Sequence, residues 1–328
     1  MEQGYLDRDG NTDKLIALAI KELKCTQTDL AKKLNVSQAQ ISMWKAGNSM
    51  SYEMLVKLRD LLGIDDLHVN FINNAGGVEQ SKKWFRVINE IANFSEMANE
   101  TGFICEGLDD DSLHRSILSE QTLNILVKMG VFIPEVFPTE LEYEEMDDQD
   151  SDTFDSNKDA YFERANKDPI YSLITNAYEA LNNLSGFFTA YILPIGNTDL
   201  DNHELMETID EMEAELLELA FVKTGKEDAT TPEFNIFSYK TERWWREQLE
   251  DLKEFAVKNQ IPLKRELMEL ISLDHDATGF AAEREALGFN RGQIHPDIYM
   301  NEILLKLRLI DQVLPVICKK LGIEEHEY

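Results

Sequence analysis

Hydrophobic positions recur at spacings of three and four along residues 12–64, which is the period of one face of an α-helix. The pattern breaks three times, so it predicts four short helices. Their apolar positions are Leu15, Leu18, Ala19 and Leu23; Leu30, Ala31 and Leu34; Ile41 and Trp44; and Leu55, Leu58, Leu61 and Leu62. Residues that favour helix ends lie at the breaks: Thr26 or Thr28, Ser37 and Ser51 at the starts, and Gly47 and Gly63 at the stops.

The same spacing continues after residue 77 and predicts a mainly α fold for the rest of the chain. One helix is expected to turn these side chains inward: Trp84, Phe85, Ile88, Ile91, Phe94 and Met97. Further helices are expected at 112–129, 170–192, 203–222, 241–258, 262–273, 278–287 and 296–321. We expect a short strand at Pro232 to Tyr239, a turn at Pro194 to Asn202 and a kink at Pro315 in the last helix.

Changes in composition divide the chain into four regions. Residues 1–72 form a compact helical domain, and Asn73 to Gly77 is the expected linker after it. Residues 73–139 are a helical connecting domain. Residues 140–168 are rich in acids and poor in aliphatic side chains, so we expect an acidic loop or linker there. Residues 169–328 are a second helical domain, with a role in oligomerisation or in binding a partner or effector.

Charge is distributed unevenly along the 328 residues, whose net charge is −30. Residues 11–64 hold eight Lys or Arg and five Asp or Glu, a net charge of +3, whereas residues 65–328 carry −31. A basic head on an acidic body is compatible with nucleic-acid binding by the head alone. The polar N-terminus, the three scattered cysteines and the lack of a long apolar run predict a cytoplasmic protein without a membrane partner.

The segment Thr26 to Gly47 carries the most specific motif. Two helices with a short break between them present a common inner face: Leu30, Ala31, Leu34, Val36, Ile41 and Trp44. Small Ala31 permits close helix approach, and the second helix turns polar side chains outward. This pattern resembles the helix-turn-helix (HTH) of the Cro/C1-type (XRE) family of bacterial and phage regulators, in Thr-Gln-x-x-Leu-Ala and then Val-Ser-x-x-x-Ile-Ser-x-Trp-x-x-Gly. The resemblance covers about residues 12–64.

The resemblance implies a lambda-repressor-like domain of four or five helices that binds double-stranded DNA in its major groove. The recognition helix is then residues 37–46. The positions expected to read bases are Gln38, Ala39, Gln40 and Met43. The positions expected at the DNA backbone are Gln27, Ser37, Ser42, Lys45 and Asn48. The loop Asn48 to Ser51 lacks the Lys or Arg that many relatives place there, so one domain alone is expected to bind weakly.

No motif predicts an enzyme, a cofactor or a metal site. The segment from His203 to Glu207 lacks the second histidine of a zinc-protease helix. Asp148, Asp150 and Asp152 have the spacing of a calcium loop, but Thr153 replaces its turn glycine. A third cluster is expected to serve capping and loop roles, with an acid–base or metal site as the alternative: Asp274, His275, Asp276, Glu283 and His295.

These features together predict a sequence-specific DNA-binding transcriptional regulator, a repressor that binds its operator as a homodimer. The alternative is a protein-interaction module, antitoxin-like or a phage or host factor, whose acidic C-terminal region binds a basic partner. Heptad-like stripes at 170–191 and 205–219 fit an internal core or a short dimer seam. Trp244-Trp245 fits a core tryptophan with a partly exposed neighbour, or an interface anchor.

Overall fold

A computed structural model describes residues 12–64, 67–142, 160–196, 203–290 and 294–321. Within these ranges the chain is mainly α-helical and has no strand. The first helices are α1 Thr12–Glu22, α2 Gln27–Leu34, α3 Gln38–Lys45, α4 Tyr52–Leu62, α5 Val69–Asn74, α6 Val78–Met97 and α7 Ser112–Lys128. The later helices are α8 Pro169–Tyr191, α9 Leu193–Gly196, α10 His203–Ala214, α11 Leu216–Thr224, α12 Phe234–Asn259, α13 His275–Ala286 and α14 Pro296–Leu321. Short 3₁₀ helices lie at Glu106–Leu108, Thr139–Leu141 and Arg265–Glu269, and residues 160–165 are also helical.

The mainly α prediction is confirmed, but the strand expected at Pro232 to Tyr239 is wrong. Helix α12 begins at Phe234 and passes through this segment. Phe234 and Phe237 are buried and Ile236 is exposed, which is a helical i, i+3 pattern. The aromatic and β-branched residues favour a strand locally, but the burial of the i, i+3 pair fits a helix.

Three smaller expectations also change. Leu61 and Met97 were expected to face inward, but they are exposed, Met97 by 83%. The expected turn after Pro194 begins with the helical residues of α9, and residues 197–202 lie outside the described ranges. The region 262–273 holds a 3₁₀ helix, Arg265–Glu269, in place of the expected α-helix. The last helix continues through Pro315, and the kink expected there stays a prediction.

The chain forms two compact units. The first comprises Met1–Asn99, Cys105–Asn182 and Leu217–Tyr239. In it, α1 packs against α2, α3, α4 and α5, while α5 also packs against α6 and α7. Buried Arg115 donates hydrogen bonds from α7 to the backbone oxygens of Asn89, Leu108 and Asp109. Helices α1–α4 are therefore supported from the side of α5 by the longer helices α6 and α7.

Residues 73–77 do not form the expected linker, because they belong to this packed unit. Asn73 and Asn74 are the last residues of α5. The Asn74 side-chain amide donates to Asn124 Oδ1 on α7 at 2.7 Å, and Gly77 is buried at the start of α6. The division of the chain between residues 72 and 73 stays a prediction.

Most of the acidic stretch expected at 140–168 lies outside the described residues, including Asp148, Asp150 and Asp152. Its described ends belong to the first unit. Arg164 donates to the backbone oxygens of Glu140 and Glu142 at 2.9 and 3.0 Å. Phe162 packs edge-on against Phe94 of α6, with ring centroids 4.7 Å apart.

The second unit comprises Glu100–Ile104, Asn183–Leu216 and Lys240–Tyr328. The Tyr191 hydroxyl, at the end of α8, donates to the backbone oxygen of Ala281 at 3.2 Å and accepts from Asn290 at 2.8 Å. Trp245 is fully buried and Trp244 is half-buried, which confirms the core interpretation for Trp245. Among the described residues, no helix is long and apolar enough to span a membrane.

The two heptad-like stripes are core rather than an exposed seam. The first stripe is buried at every position: Ile170, Ile174, Ala177, Leu181, Leu184, Phe188 and Tyr191. The second is buried in the same way: Leu205, Ile209, Met212, Leu216 and Leu219. These side chains are covered within one chain, so neither stripe is left for a dimer contact.

Candidate nucleic-acid interface

A three-residue turn, residues 35–37, joins α2 to α3. Asn35 adopts the left-handed conformation with φ of 58°, a region in which Asn is one of the few tolerated side chains. The Val36 N–H donates to the oxygen of Ala31 at 2.9 Å and closes the end of α2. The chain therefore reverses within one tight turn, and α2 and α3 pack against each other.

Helix α2 starts with a reciprocal cap. The Asp29 N–H donates to Thr26 Oγ1 at 3.2 Å, and the Thr26 N–H donates back to the Asp29 carboxylate at 3.3 Å. The Thr26 hydroxyl also donates to that carboxylate at 2.6 Å. These hydrogen bonds lower the pKa of Asp29, because they favour its charged form. The cap holds Gln27, the half-buried first residue of α2, in a fixed position.

Helix α3 starts with a second reciprocal cap, in which the Ser37 cap was expected from the sequence and the returning contact from Gln40 was not. The Gln40 N–H donates to Ser37 Oγ at 3.2 Å, and the Ser37 N–H donates to Gln40 Oε1 at 2.9 Å. The spacing Ser-x-x-Gln is the sequence pattern of such a capping box, so it could have been recognised. Gln40 therefore has a structural role at the start of α3, and its base contact stays a prediction.

The predicted inner face of the motif is buried, with one residue half-buried. Leu30, Ala31 and Leu34 of α2 and Ile41 and Trp44 of α3 are buried, whereas Val36 in the turn is half-buried. Further support comes from α4, where Lys57 Nζ donates to the backbone oxygen of Leu34 at 2.7 Å. A lysine at this position satisfies a carbonyl at the negative end of the α2 dipole.

The opposite face of α3 is exposed and has no acidic side chain. The exposed residues include the base-reading candidates together with the backbone-contact candidates of the same helix: Gln38, Ala39, Gln40, Ser42, Met43 and Lys45. Ser42 Oγ donates to the Gln38 backbone oxygen at 3.1 Å, so this hydroxyl is held close to the helix. Met43 is 54% exposed and Lys45 lies in the last turn.

The loop after α3 is shaped by a glycine and anchored by a methionine. Gly47 has φ of 88°, a conformation that side chains with a Cβ rarely adopt. The Asn48 N–H donates to the Met43 backbone oxygen at 3.1 Å, which keeps exposed Asn48 next to the end of α3. Met50 is buried and fixes the other end of the loop, a role that the sequence analysis did not assign.

These four helices, with one exposed polar helix held by two capped turns, define a helix-turn-helix DNA-binding domain. The helix-turn-helix family model HTH_3 matches residues 16–67. The N-terminal domain is thus a helix-turn-helix of the Cro/C1 type, and this domain supports DNA binding by the chain. No curated protein and no solved structure matches the chain.

The histidine cluster of the second unit does not assemble into a metal site in the described residues. Asp274 caps α13 by accepting from the Ala277 N–H at 2.7 Å, as its capping role predicted. His275 Nδ1 lies 3.4 Å from the Asn183 side-chain amide and 3.2 Å from Asp276. His295 Nδ1 accepts from the Asp297 N–H at 3.2 Å, which fits a loop role.

Proposed function

We propose that the protein is a sequence-specific transcriptional repressor that acts as a homodimer on an operator with two half-sites. The observation that carries this proposal is the exposed, acid-free polar face of α3 beside a buried Ile41–Trp44 face. A helix of this kind fits the major groove, where Gln side chains and apolar atoms can distinguish base pairs. Such a regulator acts on DNA in the cytoplasm, and we propose no catalytic role for it.

Two half-sites are required by the weakness of a single domain. Residues 11–64 carry only +3, and the loop from Asn48 to Ser51 has no cation for the DNA phosphates. Since phosphate neutralisation supplies most non-specific affinity, one domain gains little from it. Linking two domains raises affinity by the effective-concentration effect. Half-sites about 34 Å apart, one helical turn of DNA, or a multiple of that distance fit two domains on one side of the duplex.

The experiment that tests the proposal compares Gln38→Ala with Lys45→Ala in binding to the gene's own upstream DNA and to random duplex. Each lost base contact costs about 1–3 kcal/mol of discrimination, so Gln38→Ala should reduce the operator-to-random ratio. Lys45→Ala should weaken binding to both duplexes equally and reduce the salt dependence. A footprint that Gln38→Ala leaves unchanged contradicts base reading by α3.

A second candidate function rests on the charge of −31 beyond residue 64. In this alternative the acidic region binds a basic protein, as in an antitoxin, and the N-terminal domain serves autoregulation. Electrostatic complementarity of this kind speeds association and falls with ionic strength. Pull-down at low and high salt with a polybasic protein as the probe separates the alternative from a regulator that acts alone.

A further inference from the structure

Helix α14, Pro296–Leu321, exposes an unusual amount of apolar surface. Exposed large apolar side chains follow one another along most of its length: Tyr299, Met300, Leu304, Leu305, Leu307, Leu309, Ile310, Val313, Leu314, Val316, Ile317 and Leu321. The helix starts from a fixed point, since Lys253 Nζ of α12 lies 3.1 Å from the Asp297 carboxylate. A contiguous apolar surface of this kind on a soluble chain marks an interaction site.

Seven of its apolar residues form a strict heptad repeat. They alternate at spacings of three and four over three complete heptads, and we name them the seam: Met300, Ile303, Leu307, Ile310, Leu314, Ile317 and Leu321. Ile303 is half-buried and the other six are exposed. A repeat of 3.5 residues over three heptads is the period of a coiled coil. The stripe at 170–191 has the same spacing but is buried within the chain, whereas six of the seven seam residues are exposed and are left for a second chain to cover. Pro315 falls directly after a seam position and faces away from the seam.

The side chains beside the seam are complementary to those of a second copy. In a parallel coiled coil in register, each g residue meets the e residue five positions later on its partner. This rule pairs Lys306 with Asp311, Tyr299 with Leu304, and Val313 with Cys318. One pair is oppositely charged, two are apolar, and none sets like charges together. Self-association requires such matching, because the g and e positions that meet across the interface come from copies of the same sequence.

We propose that α14 is the self-association element of the protein and forms a parallel coiled coil with further copies of the same helix. Leucine at a (Leu307, Leu314, Leu321) with isoleucine at d (Ile303, Ile310, Ile317) favours three or four strands over two. The free protein is then larger than a dimer, and the homodimer of the proposed function corresponds to the two N-terminal domains of the assembly that bind one operator. This inference rests on the proposed function only for the expected effect of self-association on operator binding. In return it assigns the interface through which the copies associate. Self-association itself is measured without DNA.

A lipid surface is the other occupant that an apolar helix with several lysines could take. Two observations favour a second copy. The seam keeps the 3.5 repeat at all seven positions, which a membrane surface does not require. The whole chain carries −30, so an anionic bilayer repels it.

The test uses the full chain and two double variants that are matched in exposure. Ile310→Asn with Leu314→Asn alters the seam, at residues 56% and 53% exposed. Leu309→Asn with Val316→Asn alters the opposite side, at residues 57% and 54% exposed. Mass photometry and sedimentation velocity should show three or four chains for the wild type and the control variant, and one chain for the seam variant. A monomeric wild type, or equal losses in both variants, overturns the proposal.

Two further measurements sharpen the result. Lys306→Glu should weaken the assembly by facing Asp311 of a second copy, and adding Asp311→Lys should restore it. A charge swap without restoration overturns the parallel arrangement. Flotation with phosphatidylglycerol vesicles should leave the wild type unbound, and co-flotation of a monomeric wild type overturns self-association in favour of lipid.

DNA titration keeps this inference separate from the proposed function. The seam variant should lose about 10²–10⁴-fold in operator affinity, the usual gain from linking two sites, and keep its binding to random duplex. If the seam variant is monomeric as expected, but the wild type does not bind the operator, only the proposed function is contradicted. A wild type that binds the operator as a monomer contradicts this inference and the homodimer of the proposed function, but leaves base reading by α3 intact.

Discussion

Helices α3 and α14 are both exposed, but their surfaces differ in chemistry. Helix α3 has eight residues, buries Ile41 and Trp44, and turns polar side chains outward. Helix α14 has 26 residues and leaves apolar side chains in the open along most of its length. A polar exposed face suits the hydrogen-bonding edges of DNA bases, whereas an apolar face of regular period suits another protein helix. The exposure of a helix therefore does not indicate its function by itself, whereas the chemistry and spacing of its exposed side chains do.

The largest expected effect is on stability, and it tests whether the buried face of α3 holds the helix in place while the exposed face does not. Trp44→Ala should cost about 3–5 kcal/mol, because it removes a buried aromatic side chain and leaves a cavity. That is a large share of the roughly 5–15 kcal/mol that stabilises a typical domain. Urea unfolding of the full chain, followed by far-ultraviolet circular dichroism, measures it. The neighbouring Met43→Ala, on the exposed face, is the control and should change stability by less than about 0.5 kcal/mol.

A smaller effect separates the two roles of Gln40. Gln40→Ala should cost about 0.5–2 kcal/mol, because it removes one half of the capping box with Ser37. Gln40→Glu keeps that half, since a glutamate carboxylate can accept the Ser37 N–H, and should leave the melting temperature almost unchanged. If Gln40→Glu still loses operator discrimination, then Gln40 also reads bases. Equal melting temperatures for wild type and Gln40→Ala would contradict the capping role.

The smallest effect concerns the attachment of α5 to α7 and depends on pH. Glu120 lies 2.5 Å from His68 Nδ1 and accepts from Asn70 Nδ2 at 3.0 Å. Although burial opposes it, these hydrogen bonds lower the pKa of Glu120 below its ordinary value of 4.5. A lowered folded-state pKa stabilises the protein above pH 4.5, and this contribution is lost as the pH falls through the folded pKa.

Glu120→Gln should therefore destabilise the chain at pH 7 and make less difference as the pH falls below 4.5 and through the lowered folded-state pKa of Glu120. The measurement is the free energy of unfolding of both proteins across that range. Glu79→Gln, at an exposed position in the first turn of α6, is the matched control. A difference that stays constant with pH would show that the carboxylate is not the group responsible.

The helix-turn-helix was predictable because its determinants are local. Helical spacing, the caps at Thr26 and Ser37 and the glycine at position 47 all lie within a few residues of what they determine. The Ser37–Gln40 capping box was readable from the same local pattern. The sequence was therefore sufficient to predict the capping box, but Gln40 was interpreted only as a base-reading residue.

The other misses have tertiary causes. Met97 continues the helical stripe of α6 but lies at its last residue, where the neighbouring helices no longer cover it. The segment around Phe234 has the aromatic and β-branched content of a strand, and packing decides for a helix. The stripes at 170–191 and 205–219 have coiled-coil spacing, and only their burial identifies them as core. Periodicity predicts that a face will be covered, but it does not say by what.

The lysine that closes the end of α2 also affects how the domain responds to salt. Lys57 is bound to the Leu34 carbonyl, and buried Arg59 donates to the Leu67 carbonyl at 2.7 Å. Of the eight cations in residues 11–64, Arg59 is therefore buried, and the ammonium of exposed Lys57 is already hydrogen-bonded within the protein. At most seven can displace condensed counterions, which limits the slope of log affinity against log salt to about −6 for one domain. The electrostatic footprint on DNA is thus smaller than the composition of the domain implies.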